Sequence, residues 1–419
     1  MADIVTDPST GLGSGRPRPN PTLTLVLLAS SHAVIHALSA LMPLVYPIVI
    51  DEFGLSPADL GLFIGVTTAV GGGMQLIYGF VTRYVARPTL LAGGQLLFGA
   101  SLLAGGLSQS VGQLLAAISL SRVGASPQHP VGNAVLSDTF PPTRRGFAIS
   151  AHISGGNVGT ILVPFAGAAL LASVGWQMTI ALFGIPALVM GTLIALRVRE
   201  DSHAYRARAR ASGSVRQQLL TVVGRRDLRL ILGAALIAAG GRGLDIVAPF
   251  MVLYLREELG IPADATAFLY ALLLVGSIVG PLLAGMVSDR FGRRPTLITY
   301  YLLSAVGILA FLAAGANLWL LVPVLLPFGT AVFSESPVLQ AYLADRATGP
   351  TRDVAFSVYF TFAFGVGAFW AFAIGSIVAS FGYAAAFGVM AASYVGAAVL
   401  LIAIRDSGER GPTWYSPVD

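Results

Sequence analysis

Apolar stretches of roughly 20 residues, set apart by short polar segments, recur along the whole chain. Their extents are near 22–50, 58–82, 89–108, 112–138, 146–172, 176–196, 229–254, 263–287, 296–314, 318–343, 354–379 and 384–404. Wound as a helix, each is long enough to cross a hydrocarbon core of about 30 Å. The pattern predicts an all-α integral membrane protein with twelve transmembrane helices.

The second half repeats the first, displaced by 207 positions. Pro130, Asp138, Arg145, Ser150 and Gly175 have identical counterparts in Pro337, Asp345, Arg352, Ser357 and Gly382. Two pseudo-symmetric hydrophobic halves are a common build of secondary transporters, with substrate held between them near the midplane. The expected organisation is a disordered cytoplasmic N-terminus at 1–21 and a six-helix bundle at 22–196. A cytoplasmic linker at 197–228, a second six-helix bundle at 229–404 and a cytoplasmic tail at 405–419 follow. Within the linker, the arginine-rich stretch from Arg206 to Leu220 is either a surface helix or a solvated tether.

Composition supports the membrane reading. The chain is 55% hydrophobic and 11% charged over 419 residues, with a mean hydropathy of +0.77. Soluble domains carry about 25% charged residues. All 25 lysine-plus-arginine residues are arginine. With twelve crossings, Arg16, Arg18, Arg83, Arg87, Arg144, Arg145, the run from Arg197 to Arg229, Arg290, Arg293, Arg294, Arg346, Arg352, Arg405 and Arg410 all fall on one side. The opposite loops hold only Arg256, beside Glu257 and Glu258. The positive-inside rule then puts both termini in the cytoplasm of a multi-pass protein of a bacterial-type cytoplasmic membrane. The basic pI near 9.6 follows from that topology and from attraction to anionic lipid. No basic patch interleaved with aromatics points to nucleic acid. Residues 1–21 lack the layout of a secretory signal. With no cysteine, there is no thiolate chemistry and no disulfide.

Two motifs carry a family resemblance. Gly285-Met-Val-Ser-Asp289-Arg290-Phe-Gly292-Arg293-Arg294-Pro295 resembles the cytoplasmic loop signature of the major facilitator superfamily. The resemblance implies that superfamily's fold. It also implies a charge cluster of Asp289, Arg290, Arg293 and Arg294 that latches helix ends in one transport state. In the first-half copy, Gly79 to Pro88, Arg83 remains but Thr82 stands near the place of the acid. Arg242 is a further gating candidate. The second motif is Gln128-His129-Pro130, followed by Arg145-Gly146-Phe-Ala-Ile-Ser150 and Gly155-Gly156-Asn157-Val158-Gly159. With His36, Tyr46-Pro47 and Glu52-Phe53-Gly54-Leu55, it resembles the fosmidomycin-resistance branch, in which an aromatic residue stands where this chain has Gln128. That resemblance implies export of a small polar or anionic compound. The glycine run has neither the preceding strand nor the lysine of a phosphate-binding loop. Gly155 and Gly159, one turn apart, fit close helix packing instead, as do Gly71-Gly72-Gly73 and Gly240-Gly241, where local unwinding is an option.

Ionisable residues inside the apolar stretches cost about 2.5–3.5 kcal/mol each on insertion scales and are usually functional. His32 and His36 share one helical face. So do Arg122, His129 and Asn133. His152 and Asn157 belong to the fifth stretch. Arg242 and Asp245 are three apart, close enough to pair along a helix and neutralise one another. Glu335, beside Pro337, has no basic neighbour in its own stretch. A buried carboxyl group that can be charged or neutral suits a reversible proton carrier, and pairing with Arg122 is the other option. Arg122, Gln128, His129, Asn133, His36 and Asn157 are the expected substrate contacts. Glu335, Asp245 and His129 are the expected proton-coupling groups. Two histidines on different helices without an inward carboxylate cluster predict no metal, and no cofactor is expected.

The sequence thus predicts a monomeric, proton-coupled secondary transporter working by alternating access on a small-molecule substrate, with export favoured over uptake of an organic anion or polar nutrient. A transport-inactive sensor would have lost these buried charges. An enzyme would need a nucleophile with its base, and no ATP-hydrolysis motif is present.

Overall fold

The computed structural model describes residues 20–82, 84–141, 144–200, 215–347, 355–356 and 358–404. The expectations for Arg83, Arg352, Ser357 and most of the linker and tails fall outside them. The first helix, α1 (Pro21–Phe53), starts where the Asn20 side chain accepts from the Leu23 amide at 3.0 Å. It stops at Gly54, whose φ of 62° only glycine adopts without strain. A reciprocal capping box between Ser56 and Asp59 opens α2 (Pro57–Val81). The first half continues through α3 (Arg87–Gly105), α4 (Val111–Ala125), α5 (Pro130–Thr139), α6 (Arg145–Ile161) and α7 (Val163–Arg197). After a short α8 (Val215–Gly224), the second half holds α9 (Arg226–Ala238), α10 (Ala248–Leu253), α11 (Ala263–Phe291), α12 (Arg293–Ala314), α13 (Leu318–Val332), α14 (Glu335–Arg346) and α15 (Phe369–Ile402).

Nine helical spans among the described residues are long and apolar enough to cross a membrane. Two of them, at 151–197 and 358–402, run to 47 and 45 residues. At about 1.5 Å per residue, each exceeds twice the hydrocarbon thickness. Both are broken inside by a glycine, Gly175 (φ 75°, ψ 172°) and Gly382 (φ 81°, ψ 173°), so each covers two crossings. Helices α4 and α5 add another crossing, interrupted at 126–129. The twelve crossings expected from the sequence are accounted for in this way.

The repeat is visible in the backbone. Gly175 and Gly382, 207 positions apart, adopt the same non-helical conformation. Pro130 and Pro337 each lie in the first turn of the helix that follows a break, α5 and α14. Asp138 and Asp345 each meet an arginine of the same half, Arg87 at 2.8 Å and Arg293 at 3.3 Å. Large apolar side chains such as Leu196, Val306 and Val399 are exposed on the outside, as expected where lipid is the solvent.

Glycines set the helix spacing. A Cβ on Gly159 would fall on the Ala33 carbonyl, and one on Gly155 would lie 2.8 Å from the Ala29 Cβ. The run therefore packs α6 against α1. Gly72 lies against Gly365, and Gly61 against Ala371 and Gly375. At Gly240-Gly241 the helix does unwind, into a 3₁₀ turn at Ala239–Gly241 and a π turn at Gly243–Val247. The Tyr394 hydroxyl donates to the freed Gly241 carbonyl at 2.6 Å, which satisfies a group the break would otherwise strand.

Contacts join the halves at the midplane and to one side of it. Tyr270 donates to the Ala40 carbonyl at 3.1 Å, and Asn157 to the Ser277 carbonyl at 3.1 Å. Helix α2 meets the second half at Gly61 and Gly65, in the part of α2 farther from the arginine-bearing turn that leads to Arg87, and again at Gly72, just past its middle.

Candidate transport site

A cavity of about 260 Å³ lies between the halves. From the first half it is lined by His36, Ser39, Gln75, Arg122, Gln128, His129, Asn133, Asn157 and Thr160, and from the second by Arg242, Asp245, Ser277, Glu335, Ser336, Gln340, Phe360 and Phe364, among others. Every residue expected from the sequence to bind substrate or couple protons is on this wall. The helix breaks explain how. Polar side chains sit where α4 gives way to α5, α9 to α10 and α13 to α14, the points at which transporter helices interrupt their backbone around a site.

Arg122 is half-buried at the C-terminal end of α4. Its Nη1 donates to Ser39 Oγ at 3.2 Å. Its Nε is buried without a hydrogen-bond partner, and no carboxylate pairs with it among the described residues. Gly71 leaves the room it occupies, since a Cβ there would touch the Arg122 side chain at 3.4 Å.

On the opposite wall, the expected pairing of Arg242 with Asp245 is not the one found. Arg242 stands 3.9 Å from Glu335. The reason is local: the chain leaves helical geometry at Arg242 (φ −60°, ψ 129°), so residues three apart no longer share a face. Arg242 also donates to the Ala363 carbonyl at 2.5 Å and lies over the Phe364 ring at 4.3 Å. Asp245 is left half-buried on the cavity wall. The option of Glu335 pairing with Arg122 is likewise not realised.

Other candidates divide by what already holds them. Gln128 is buried and joins α1 through both ends of its amide, donating to the Leu28 carbonyl at 2.7 Å and accepting from Ser31 Oγ at 3.2 Å. Asn157 reaches across to α11. Asn133 Oδ1 is buried without a partner. His36 and His129 line the cavity beside the more deeply buried His32. Ser39 was not expected from the sequence, although its place three residues after His36 puts it on the same helical face. Ser277 carries no sequence signal.

The loop cluster is built inside the second half. Asp289 pairs with Arg293 at 2.5 Å, and Arg293 also reaches Asp345 and Ser288. Arg294 donates to the Leu401 and Ile402 carbonyls, while Arg290 lies over Phe291. These contacts tie α11 and α12 to α14 and α15. In the first half Arg87, at the repeat position of Arg294, pairs with Asp138 and Glu200.

Comparisons with known proteins agree with this fold. The chain is 25% identical over 302 residues to the 4-hydroxybenzoate transporter PcaK of Pseudomonas aeruginosa, covering 64% of this chain and 66% of that one. It is 24% identical over 354 residues to the fosmidomycin resistance protein of Escherichia coli, covering 84% of this chain and 85% of that one. The fosmidomycin-resistance resemblance is thus one of several distant similarities of like strength. The solved structure of the nucleoside transporter NupG matches with a TM-score of 0.75 at 12% identity, covering 92% of this chain and 99% of that one. The family model of the Major Facilitator Superfamily matches residues 27–244 and again 231–414, once for each half of the repeat. The chain therefore belongs to the Major Facilitator Superfamily: it is a multi-pass membrane protein, a secondary transporter of small metabolites and not an enzyme.

Proposed function

We propose that this transporter carries a small organic anion, coupled to protons, by alternating access across a bacterial cytoplasmic membrane. The observation that carries the reading is Arg122, a cation on the cavity wall with a buried donor unused and no carboxylate paired to it. A carboxylate or phosphonate would supply what it lacks, through charge-assisted and even bidentate hydrogen bonds. Asn133 and Asn157 add polar contacts, and His36 and His129 complete the first-half wall. A relative named for transport of 4-hydroxybenzoate fits the same chemistry.

Glu335 is the proposed proton carrier. Buried against Arg242, it would free that arginine when it takes up a proton, with Asp245 on the same wall and His129 on the facing one as relays. With both termini and the arginine-rich ends in the cytoplasm, the sealed end faces outward and the cavity opens inward. Asp289, Arg290, Arg293 and Arg294 would then hold the second half rigid as it rocks. Export is the proposed direction, on the resemblance to the fosmidomycin resistance protein, and a monomer is the proposed unit.

The test is flux in proteoliposomes with an imposed pH gradient, using 4-hydroxybenzoate and fosmidomycin as probes. Proton-driven movement of either anion out of the cytoplasm-equivalent face is expected. Movement driven the other way would mark uptake. Flux that ignores the gradient would remove proton coupling, and transport of neutral analogues alone would remove the anion reading.

A further inference from the structure

Four of the five histidines of the chain meet in one place behind the first-half wall. The His32 ring lies 4.3 Å from that of His36, 4.7 Å from His129 and 4.5 Å from His152, centroid to centroid. They come from α1, from the break between α4 and α5, and from α6. From sequence, only His32 and His36 could be placed together, by their spacing of four.

The ring nitrogens are arranged as ligands. His32 Nδ1 is 3.0 Å from the His152 carbonyl. A carbonyl only accepts, so Nδ1 carries the proton and Nε2 presents a lone pair. That Nε2 is buried with no hydrogen-bond partner, and so is His36 Nδ1. A ring N–H fixed on a backbone carbonyl, with the other nitrogen free, is the usual posture of a metal-binding histidine. His32 and His36, one turn apart on a single helix face, supply the same i, i+4 pair that holds zinc on other helices.

We propose that His32, His36 and His129 form a site for a divalent transition-metal ion of the zinc class, held by three neutral imidazoles. One nitrogen from each lies within 4.8 Å of the others. A tetrahedral zinc site with Zn–N of about 2.0–2.1 Å needs roughly 3.3 Å between ligand atoms. Small side-chain rotations close that difference. Imidazole selects zinc, copper, nickel or cobalt over magnesium or calcium. With three protein ligands, a fourth position stays open. His36 and His129 line the cavity whereas His32 is buried behind them, so that position faces the transport site. Arg122 on the same wall opposes a bare cation, which favours an ion whose open position holds hydroxide or an anion. His152 stacks on His32 at an interplanar angle of 27° and positions it. The site does not depend on the anion reading of the transport cavity, and it replaces the expectation that no metal binds.

Titration of tag-free, full-length protein in detergent with Co²⁺, followed by visible absorption and competed by Zn²⁺, tests it. One equivalent should bind with the intense bands of low-coordinate cobalt. His36→Gln and His129→Gln should each weaken binding by about 10–100-fold or more, whereas His203→Ala should bind as the parent does. Should the histidine variants fail to fold, X-ray absorption of the parent protein with Zn²⁺ decides. Three nitrogen neighbours at about 2.0–2.1 Å support the site. A six-coordinate oxygen shell, no stoichiometric binding, or binding lost with His203→Ala but kept in His36→Gln, would overturn it.

Discussion

Arg242 and Glu335 face each other at 3.9 Å from two broken helices of the same half, both nearly closed off from water. Removing one member of such a pair strands a buried charge, at a cost of about 3–5 kcal/mol, whereas replacing both with apolar residues is often neutral or better. Glu335→Ala should therefore lower thermal stability in detergent sharply, and the Arg242→Met/Glu335→Leu double variant should recover most of the loss. Both should fail in gradient-driven transport. A double variant no more stable than the single one would show that the two charges do not act as a pair.

Glu335→Gln separates coupling from folding. The amide keeps the shape of the protonated acid and cannot release a proton. Exchange of substrate across a membrane with no gradient should continue, while accumulation against a substrate gradient should vanish. Accumulation at the parent level in a proteoliposome assay would take the carrier role away from Glu335.

Arg122→Ala should weaken anion binding by about 10–100-fold, the scale of one or two lost hydrogen bonds to a charged group. Arg122→Lys should recover part of that, because it restores charge without the planar fork. Affinities for a carboxylate and its neutral amide, measured side by side, check this. The selectivity for the anion should collapse in Arg122→Ala, and its survival there would shift recognition to another group.

How much of this could be read from the sequence differs residue by residue. The crossings, the repeat and the polar residues of the cavity wall follow from hydropathy and spacing, because a bilayer forces backbone hydrogen bonds to close within each helix. Gly175 and Gly382 carry their common role in their identity and their offset. Pairing was not legible in the same way. Arg242 and Asp245 look like partners only if the helix is continuous, and the break at Arg242 sends its guanidinium to Glu335 instead. Gln128 stands in the cavity motif, yet its amide is bonded to α1. The meeting of His32 with His129 and His152 depends on how α1 packs on α6 and on the α4–α5 break, for which no local signal exists.

The two positive-φ glycines give a fold-level prediction. Gly175 and Gly382 sit at φ 75° and 81° with ψ near 172°, a region that costs a residue with a Cβ about 1–3 kcal/mol. Neither meets a crowding side chain close by, so the strain is of the backbone alone. Gly175→Ala and Gly382→Ala should each lower the melting temperature by a similar amount, and their effects should add, since the sites lie in separate halves. Unequal losses would mean that the two halves are not equivalent at this turn.

Tyr270 bridges the halves on the sealed side and Asn157 near mid-membrane, each donating to a backbone carbonyl of the other half. A hydrogen bond of this kind contributes about 0.5–1.5 kcal/mol net. Removing both by Asn157→Ala/Tyr270→Phe takes a few kcal/mol at most from the state closed on this side and nothing from a state in which the halves have parted here. A shift of about 1.4 kcal/mol changes the ratio of the two states tenfold. Spin labels placed on α2 near Leu62 and on α15 near Phe372, both exposed, would report this as a growing long-distance population in the double variant. Because Asn157 also lines the cavity, the Tyr270→Phe variant alone is the cleaner arm. It should shift the distances in the same direction while leaving substrate affinity within the factor set by the population change. Unchanged distances in both variants would place the seal in the glycine contacts at Gly61 and Gly65 instead.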